Sequence, residues 1–163
     1  MPMERILENK YAEIIIKLEE SYRQYPYYCS ENFPTVGYGE RVGNKGDPLP
    51  NITRTEKQAL QFLRERIFEI INRLVAHKPK AWNNCNEQRQ AVLVSLCYQI
   101  GVSGALKFNN MWTALERSDF ELAAKEMLDS LWAKQTKNRA LRHSKTMKDG
   151  SLDMYYVSKG VFQ

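Results

Sequence analysis

Glu20-Ser21-Tyr22-Arg23-Gln24-Tyr25-Pro26-Tyr27-Tyr28-Cys29-Ser30-Glu31-Asn32-Phe33-Pro34-Thr35-Val36-Gly37-Tyr38-Gly39-Glu40 is the stretch on which the rest of the chain turns. It starts with a carboxylate at the end of a helical pattern and closes on paired glycines. Residues 25–29 and 34–38 are rich in aromatic and β-branched side chains, and Ser30-Glu31-Asn32 between them supplies turn chemistry. A hairpin with those limits brings Cys29 and Thr35 together. Gly37, Gly39 and Gly43 permit the close backbone approach that a cleft edge needs. A potential proton donor (Glu20), a potential base or nucleophile (Cys29) and a hydroxyl (Thr35) fall within sixteen residues. The plainer reading is a small structural hairpin whose tyrosines merely pack.

Upstream, residues 4–20 place Ile6/Leu7, Tyr11, Ile14/Ile15 and Leu18 on one helical stripe. Glu19 and Glu20 close that helix, and Pro26 forbids its continuation. Downstream, the loop 43–51 leads into Thr53-Arg54-Thr55-Glu56, which has capping-box spacing. A long helix follows with Leu60, Leu63, Ile67, Ile70/Ile71 and Leu74 on one face, and Pro79 lies beyond its end. Its charges (Glu56, Lys57, Arg64, Glu65, Arg66, Glu69, Arg73) read as a solvated face. Asn84-Cys85-Asn86-Glu87 caps the next helix. Residues 91–100 there are apolar nearly all round, as at the centre of a bundle, and Gly101 and Gly104 end it. Shorter helices are predicted at about 110–117, 118–132 and 136–143. The tail 150–163, with Tyr155 and Tyr156, packs back on the bundle.

At 163 residues the chain suits one domain, and 43% hydrophobic with 26% charged residues argues against disorder. The net charge of +5 points to an anionic partner (nucleic acid, a membrane surface or the bacterial wall) without choosing among them. No apolar run approaches the roughly 20 residues of a membrane span, so no stable membrane insertion is expected. The opening Met1-Pro2-Met3-Glu4-Arg5 leads into Ile6-Leu7-Glu8-Asn9-Lys10 rather than a signal-peptide core, so synthesis in the cytoplasm is expected.

Three cysteines form no metal spacing. Cys97 reads as a small buried hydrophobe, Cys85 as an inert loop thiol, and Cys29 as the one thiol with a functional context. His77 and His143 are isolated, with no HExxH, no CxxC and no serine in a nucleophile elbow, so neither metal nor cofactor is expected. Lys134, Lys137, Arg139, Arg142, Lys145 and Lys148 could form a basic patch, but no nucleic-acid motif accompanies them and no nucleic-acid partner is expected.

The combination Glu20-x8-Cys29-x5-Thr35, running into Val36-Gly37-Tyr38-Gly39, resembles the catalytic motif of the phage-type lysozymes, glycoside hydrolase family 24. Further segments follow in that family's order. Ile52-Thr53-Arg54-Thr55-Glu56 is similar to the start of its interlobe helix, and Tyr98-Gln99-Ile100-Gly101 to a buried helix end. Leu131-Trp132 through Gln135-Thr136 and Asn138-Arg139-Ala140 is similar to its Trp-x-x-Gln-Thr-x-Asn-Arg-Ala segment.

That resemblance implies an α+β, mostly α, lysozyme-like two-lobed fold. A small β-hairpin lobe at about 10–54 and a helical lobe at about 77–163 would be joined by a long helix at about 55–76. The N-terminal helix would pack on the helical lobe, all within a single domain. It implies Glu20 as the acid that protonates the leaving glycosidic oxygen, because an alkoxide leaves poorly. Arg139 would pair with that glutamate, Thr35 would help position the attacking water, and Tyr98 and Gln99 would line the cleft.

Cys29 departs from the usual aspartate. A carboxylate is charged at neutral pH whereas an ordinary free thiol is mostly neutral, so base, covalent nucleophile and bystander all stay open. Glu40 stands where many relatives have histidine, which implies a lost salt bridge, and the segment between Gly39 and Thr53 implies a trimmed small lobe.

The implied function is cleavage of the β-1,4 bond between N-acetylmuramic acid and N-acetylglucosamine in peptidoglycan, as a monomeric endolysin. It would need a holin to pass from the host cytoplasm to the periplasmic wall. The alternatives are a bacterial antibacterial effector or prophage lysozyme, a wall-binding protein that has lost catalysis, and a basic nucleic-acid-binding helical protein.

Overall fold

The computed structural model describes residues 8–160. Helix α1 (Lys10–Glu20) begins at Asn9, whose side chain accepts from the Ala12 N–H and donates to the Glu87 carbonyl at 2.8 Å. The expected contribution of Ile6 and Leu7 to its apolar stripe lies outside the described residues. Within the helix the stripe is rotated by one position. Ile15 and Ile16 are fully buried with Tyr11 and Ala12, whereas Ile14 is 39% exposed. The helix packs on the central helix of the helical lobe, and that neighbour selects the 11/12/15/16 face. It ends at Ser21, at φ 58°, whose N–H caps the Lys17 carbonyl. The stop therefore comes before Pro26.

Strands β1 (Arg23–Tyr28), β2 (Pro34–Gly37) and β3 (Glu40–Arg41) form one antiparallel sheet in that order. Tyr27 pairs with Thr35 and Tyr28 with Pro34, and the register shifts between Arg23 and Tyr27, where Pro26 removes a ladder donor. Cys29 stands just past the strand, in the turn. Its N–H donates to the Phe33 carbonyl at 3.0 Å, and Asn32, at φ 67°, donates back to the Cys29 carbonyl. The two-residue β3 carried too little pattern to be read from sequence.

Helix α2 (Glu56–His77) is about 33 Å long by helical rise. Its capping box is Thr55 with Gln58, two residues later than the expected one. Its early turns pack on β2 and its later turns on the helices that follow, so it joins the two lobes. Pro79 opens α3 (Pro79–Asn84) at its first position, where a missing N–H costs nothing.

Helix α4 (Glu87–Ile100) is capped by Asn86; residues 91–97 are all buried and it ends at Gly101, φ 85°. Gly104 lies inside the short α5 (Val102–Leu106) rather than ending α4. Then come α6 (Asn109–Glu116), α7 (Phe120–Leu128), α8 (Leu131–Gln135), α9 (Lys137–Asp149) and α10 (Met154–Ser158). The single helix expected over 118–132 is thus two, because Ser130 caps a new helix through the Ala133 N–H. In the tail, Tyr156 packs into the core; residues 161–163 lie outside the described residues.

Cys85 lies buried in the bend that follows α3, an inert thiol as expected, and Cys97 lies in the core. Burial pushes both thiols up to about 12, which leaves them neutral.

Candidate active site

Glu20 is the last residue of α1, and its carboxyl sits where the helix meets the sheet. Its Oε2 accepts from Arg139 Nη1 at 2.5 Å; the Glu20 side chain is 18% exposed and that of Arg139 9%. Arg139 comes from the first turns of α9. Its Nη2 donates to the Ser95 hydroxyl at 2.9 Å and to the Ser95 carbonyl at 3.3 Å, while its buried Nε has no partner among the described residues. The guanidinium is therefore held by its two terminal nitrogens, one toward α1 and one toward α4. Gly39 makes room for the acid. A Cβ there would stand 2.6 Å from Glu20 Oε1, and its φ of +77° also excludes most side chains.

The hairpin lines the cleft as well. Thr35, Cys29 and Tyr27 line the same cleft as Glu20, which encloses about 1090 Å³. The Thr35 hydroxyl donates to the Phe33 carbonyl at 2.8 Å, so its oxygen lone pairs remain available as acceptors. Burial, and then the Glu20 charge, raise the Tyr27 phenol above its ordinary value. Tyr27 was not singled out from sequence, although its place two residues before Cys29 was the available signal.

Tyr98 and Gln99 do line the cleft, but both are engaged. The Tyr98 hydroxyl donates to the Tyr38 carbonyl at 2.5 Å, stapling the central helix to the small lobe, and burial raises its phenol. Gln99 Oε1 accepts from the Trp132 indole N–H at 2.8 Å, which fixes that ring in the cleft wall against Phe108. Arg66 of α2 also faces the cleft, so that helix is not wholly a solvated face.

The residue beside the acid is equally occupied. Glu19, 4% exposed, accepts from Arg142 Nε at 2.9 Å and Nη2 at 2.6 Å, and from the Tyr156 hydroxyl. These bonds raise Arg142, and burial with the Glu19 charge raises Tyr156. His143 is not isolated. It is fully buried, with Nε2 2.7 Å from the Ser95 hydroxyl and Nδ1 3.1 Å from that of Tyr156. Burial, then Arg139 and Arg142, hold its imidazole well below the ordinary value.

Arg139, Arg142 and His143 share one face of α9 at i, i+3, i+4, the spacing that could have revealed this cluster. Two of the six charges read as a basic patch are therefore paired inside the protein. Glu40, expected to lose a contact, makes a two-pronged pair with Arg54 at 3.2 and 3.0 Å. Among the described residues, no three His, Cys, Asp or Glu side chains converge to hold a metal ion.

The phage lysozyme family profile matches residues 17–146, which includes every one of these cleft residues. The chain is 29% identical, over 88% of its length, to the pre-baseplate central spike protein Gp5 of Enterobacteria phage T4, of which it spans 28%. It is 27% identical, over 74% of its length, to a T4-type lysozyme of Dictyostelium discoideum, of which it spans 69%. A second T4-type lysozyme of that organism is 30% identical over 45% of the chain. The chain belongs to the phage lysozyme family of glycosidases.

Proposed function

We propose that the chain is one lysozyme-like domain that hydrolyses the β-1,4 bond between N-acetylmuramic acid and N-acetylglucosamine in peptidoglycan. The observation that carries this reading is that Glu20, seated on Arg139, lines one cleft of about 1090 Å³ together with Cys29 and Thr35. Glu20 gives its proton to the leaving oxygen as the glycosidic C–O bond breaks. A water that hydrogen-bonds to the Thr35 oxygen lies against the anomeric carbon. Cys29 acts from the hairpin, as a thiolate that takes the one proton the attacking water gives up or as the nucleophile of a covalent intermediate that water then hydrolyses.

Reducing-end release from purified peptidoglycan tests this in wild type, Glu20→Gln and Cys29→Ser. Release by wild type that disappears in Glu20→Gln supports the assignment, and the Cys29→Ser rate separates a participating thiol from a bystander. Binding to the wall without release by wild type overturns it in favour of a wall-binding protein.

The setting is a monomeric endolysin, made in the host cytoplasm and admitted to the periplasmic wall by a holin. A second setting is favoured by the 29% identity to a central spike protein over most of the chain: a lysozyme carried on the virus particle. Mass spectrometry of purified particles separates the two, since an endolysin is released in the lysate and a spike lysozyme co-purifies with particles.

A further inference from the structure

Behind the candidate acid lies a closed set of buried polar groups drawn from four helices: Glu19 on α1, Ser95 on α4, Arg139, Arg142 and His143 on α9, and Tyr156 on α10. Their proton inventory allows one direction of donation. Arg139 is only a donor, so Ser95 Oγ accepts from it. Glu19, charged opposite Arg142, is only an acceptor, so the Tyr156 hydroxyl spends its single proton there. The Tyr156 oxygen must then accept from His143 Nδ1–H, which leaves Nε2 bare to accept the Ser95 proton. The other neutral tautomer would set a bare Nδ1 against a hydroxyl with no proton to give. An imidazolium would add a third cation beside Arg139 and Arg142. Among the described residues Arg139 and Arg142 are the charges that act on this ring, and the Trp132 and Tyr156 rings flank it.

We propose that His143 is a positioning residue for the glycosidase reaction. As the neutral Nδ1–H tautomer it completes a one-way hydrogen-bond relay, Arg139 to Ser95 to His143 to Tyr156 to Glu19, that aims the Arg139 fork at Glu20. This rests on the reading of Glu20 as the acid. His143 touches no substrate. It fixes the Ser95 hydroxyl so that a lone pair faces Arg139 Nη2, and the rigid guanidinium then presents Nη1 to Glu20 Oε2. The ring also connects the candidate site to α10, since without it Tyr156 would meet Glu19 but not Ser95.

Two measurements test the relay. Long-range nitrogen–proton NMR of the wild-type imidazoles, of which the chain has two, should show a buried Nδ1–H, bare-Nε2 histidine that disappears in His143→Gln. An Nε2–H tautomer or an imidazolium for His143 at neutral pH overturns the proposal, and this reading needs no variant to fold.

The second is steady-state hydrolysis of peptidoglycan by His143→Leu, His143→Asn and His143→Gln. The Gln oxygen can replace Nε2 as the acceptor for Ser95, whereas Asn keeps only the donor toward Tyr156. Leu and Asn should lower kcat by roughly ten- to a hundredfold with KM little changed, and Gln should restore most of it. A purely structural histidine would give kcat values that follow stability, without that order. Full activity in folded His143→Asn and His143→Leu, with Glu20→Gln inactive, sinks the relay alone. An active Glu20→Gln sinks the assignment of Glu20 and, with it, the purpose given to the relay.

Discussion

Glu19 and Glu20 are neighbours at the end of one helix and live in opposite worlds. Glu19 turns inward, is 4% exposed, and both of its oxygens are engaged, by two nitrogens of Arg142 and the hydroxyl of Tyr156. Glu20 turns toward the cleft, is 18% exposed, and has one oxygen on Arg139 and the other beside Gly39. Each has an arginine from α9, three residues apart, so the same helix face serves both. A buried carboxylate with both oxygens bonded is a structural anchor, whereas one with a vacant edge on a cleft is available for proton transfer. One residue of helical rotation divides stability from chemistry.

Exchanging the charge at each position breaks that comparison most directly. Glu20→Gln should lower the hydrolysis rate by between about a hundredfold and ten-thousandfold, with melting almost unmoved. Glu19→Gln should do the reverse, costing about 2 kcal/mol of stability and lowering activity per folded molecule far less than Glu20→Gln, through the relay that ends on Glu19. Equal effects of the two on either readout would erase the distinction. Removing the partner of the anchor is the next largest effect. Arg142→Ala leaves Glu19 buried and uncompensated, which should cost about 3 kcal/mol in chemical denaturation, and a loss below about 1 kcal/mol would show that Glu19 finds water instead.

Gly39→Ala sharpens the Glu20 side. It combines a strained backbone with a Cβ 2.6 Å from the acid, and should cost about 1–2 kcal/mol and displace Glu20, with a drop in rate larger than the drop in stability explains.

The smallest effect concerns pH. The folded state holds His143 below its ordinary value, so the unfolded chain binds that proton first. Stability from this residue is therefore intact above about pH 6.5 and lost as pH falls below it, by up to about 1.4 kcal/mol per pH unit until the folded imidazole also protonates. Urea titrations should show a flatter acid slope for His143→Gln than for wild type.

Much of the fold was legible because it is written at short range. The stripe of α2, the apolar run of α4 and the aromatic pairs around Ser30-Glu31-Asn32 each declare an element within a few residues. The spacing from Glu20 through Cys29 to Thr35 is local too, and the hairpin register converts it directly into a shared cleft. What stayed hidden depends on distant partners. Nothing near Glu19 says that Arg142 and Tyr156 will cover it, and a charged residue at a helix end reads as surface until its partner is known. His143 looked solitary for the same reason. The choice of Ile16 over Ile14 was likewise decided by the helix packed against it.

The long reach of those partnerships has a consequence for biosynthesis. Glu20 meets Arg139 across 119 positions, and Glu19 meets Arg142 and Tyr156 across 123 and 137. At translation rates of about 5–20 residues per second, both carboxylates wait roughly 6–27 seconds before their partners exist. The hairpin bearing Cys29 and Thr35 is synthesised near the start of that interval, but the arginine that seats the acid comes near its end. A nascent chain thus carries the motif well before it carries an organised site, and a ribosome stalled before α9 holds a protein whose acid has nothing to lean on.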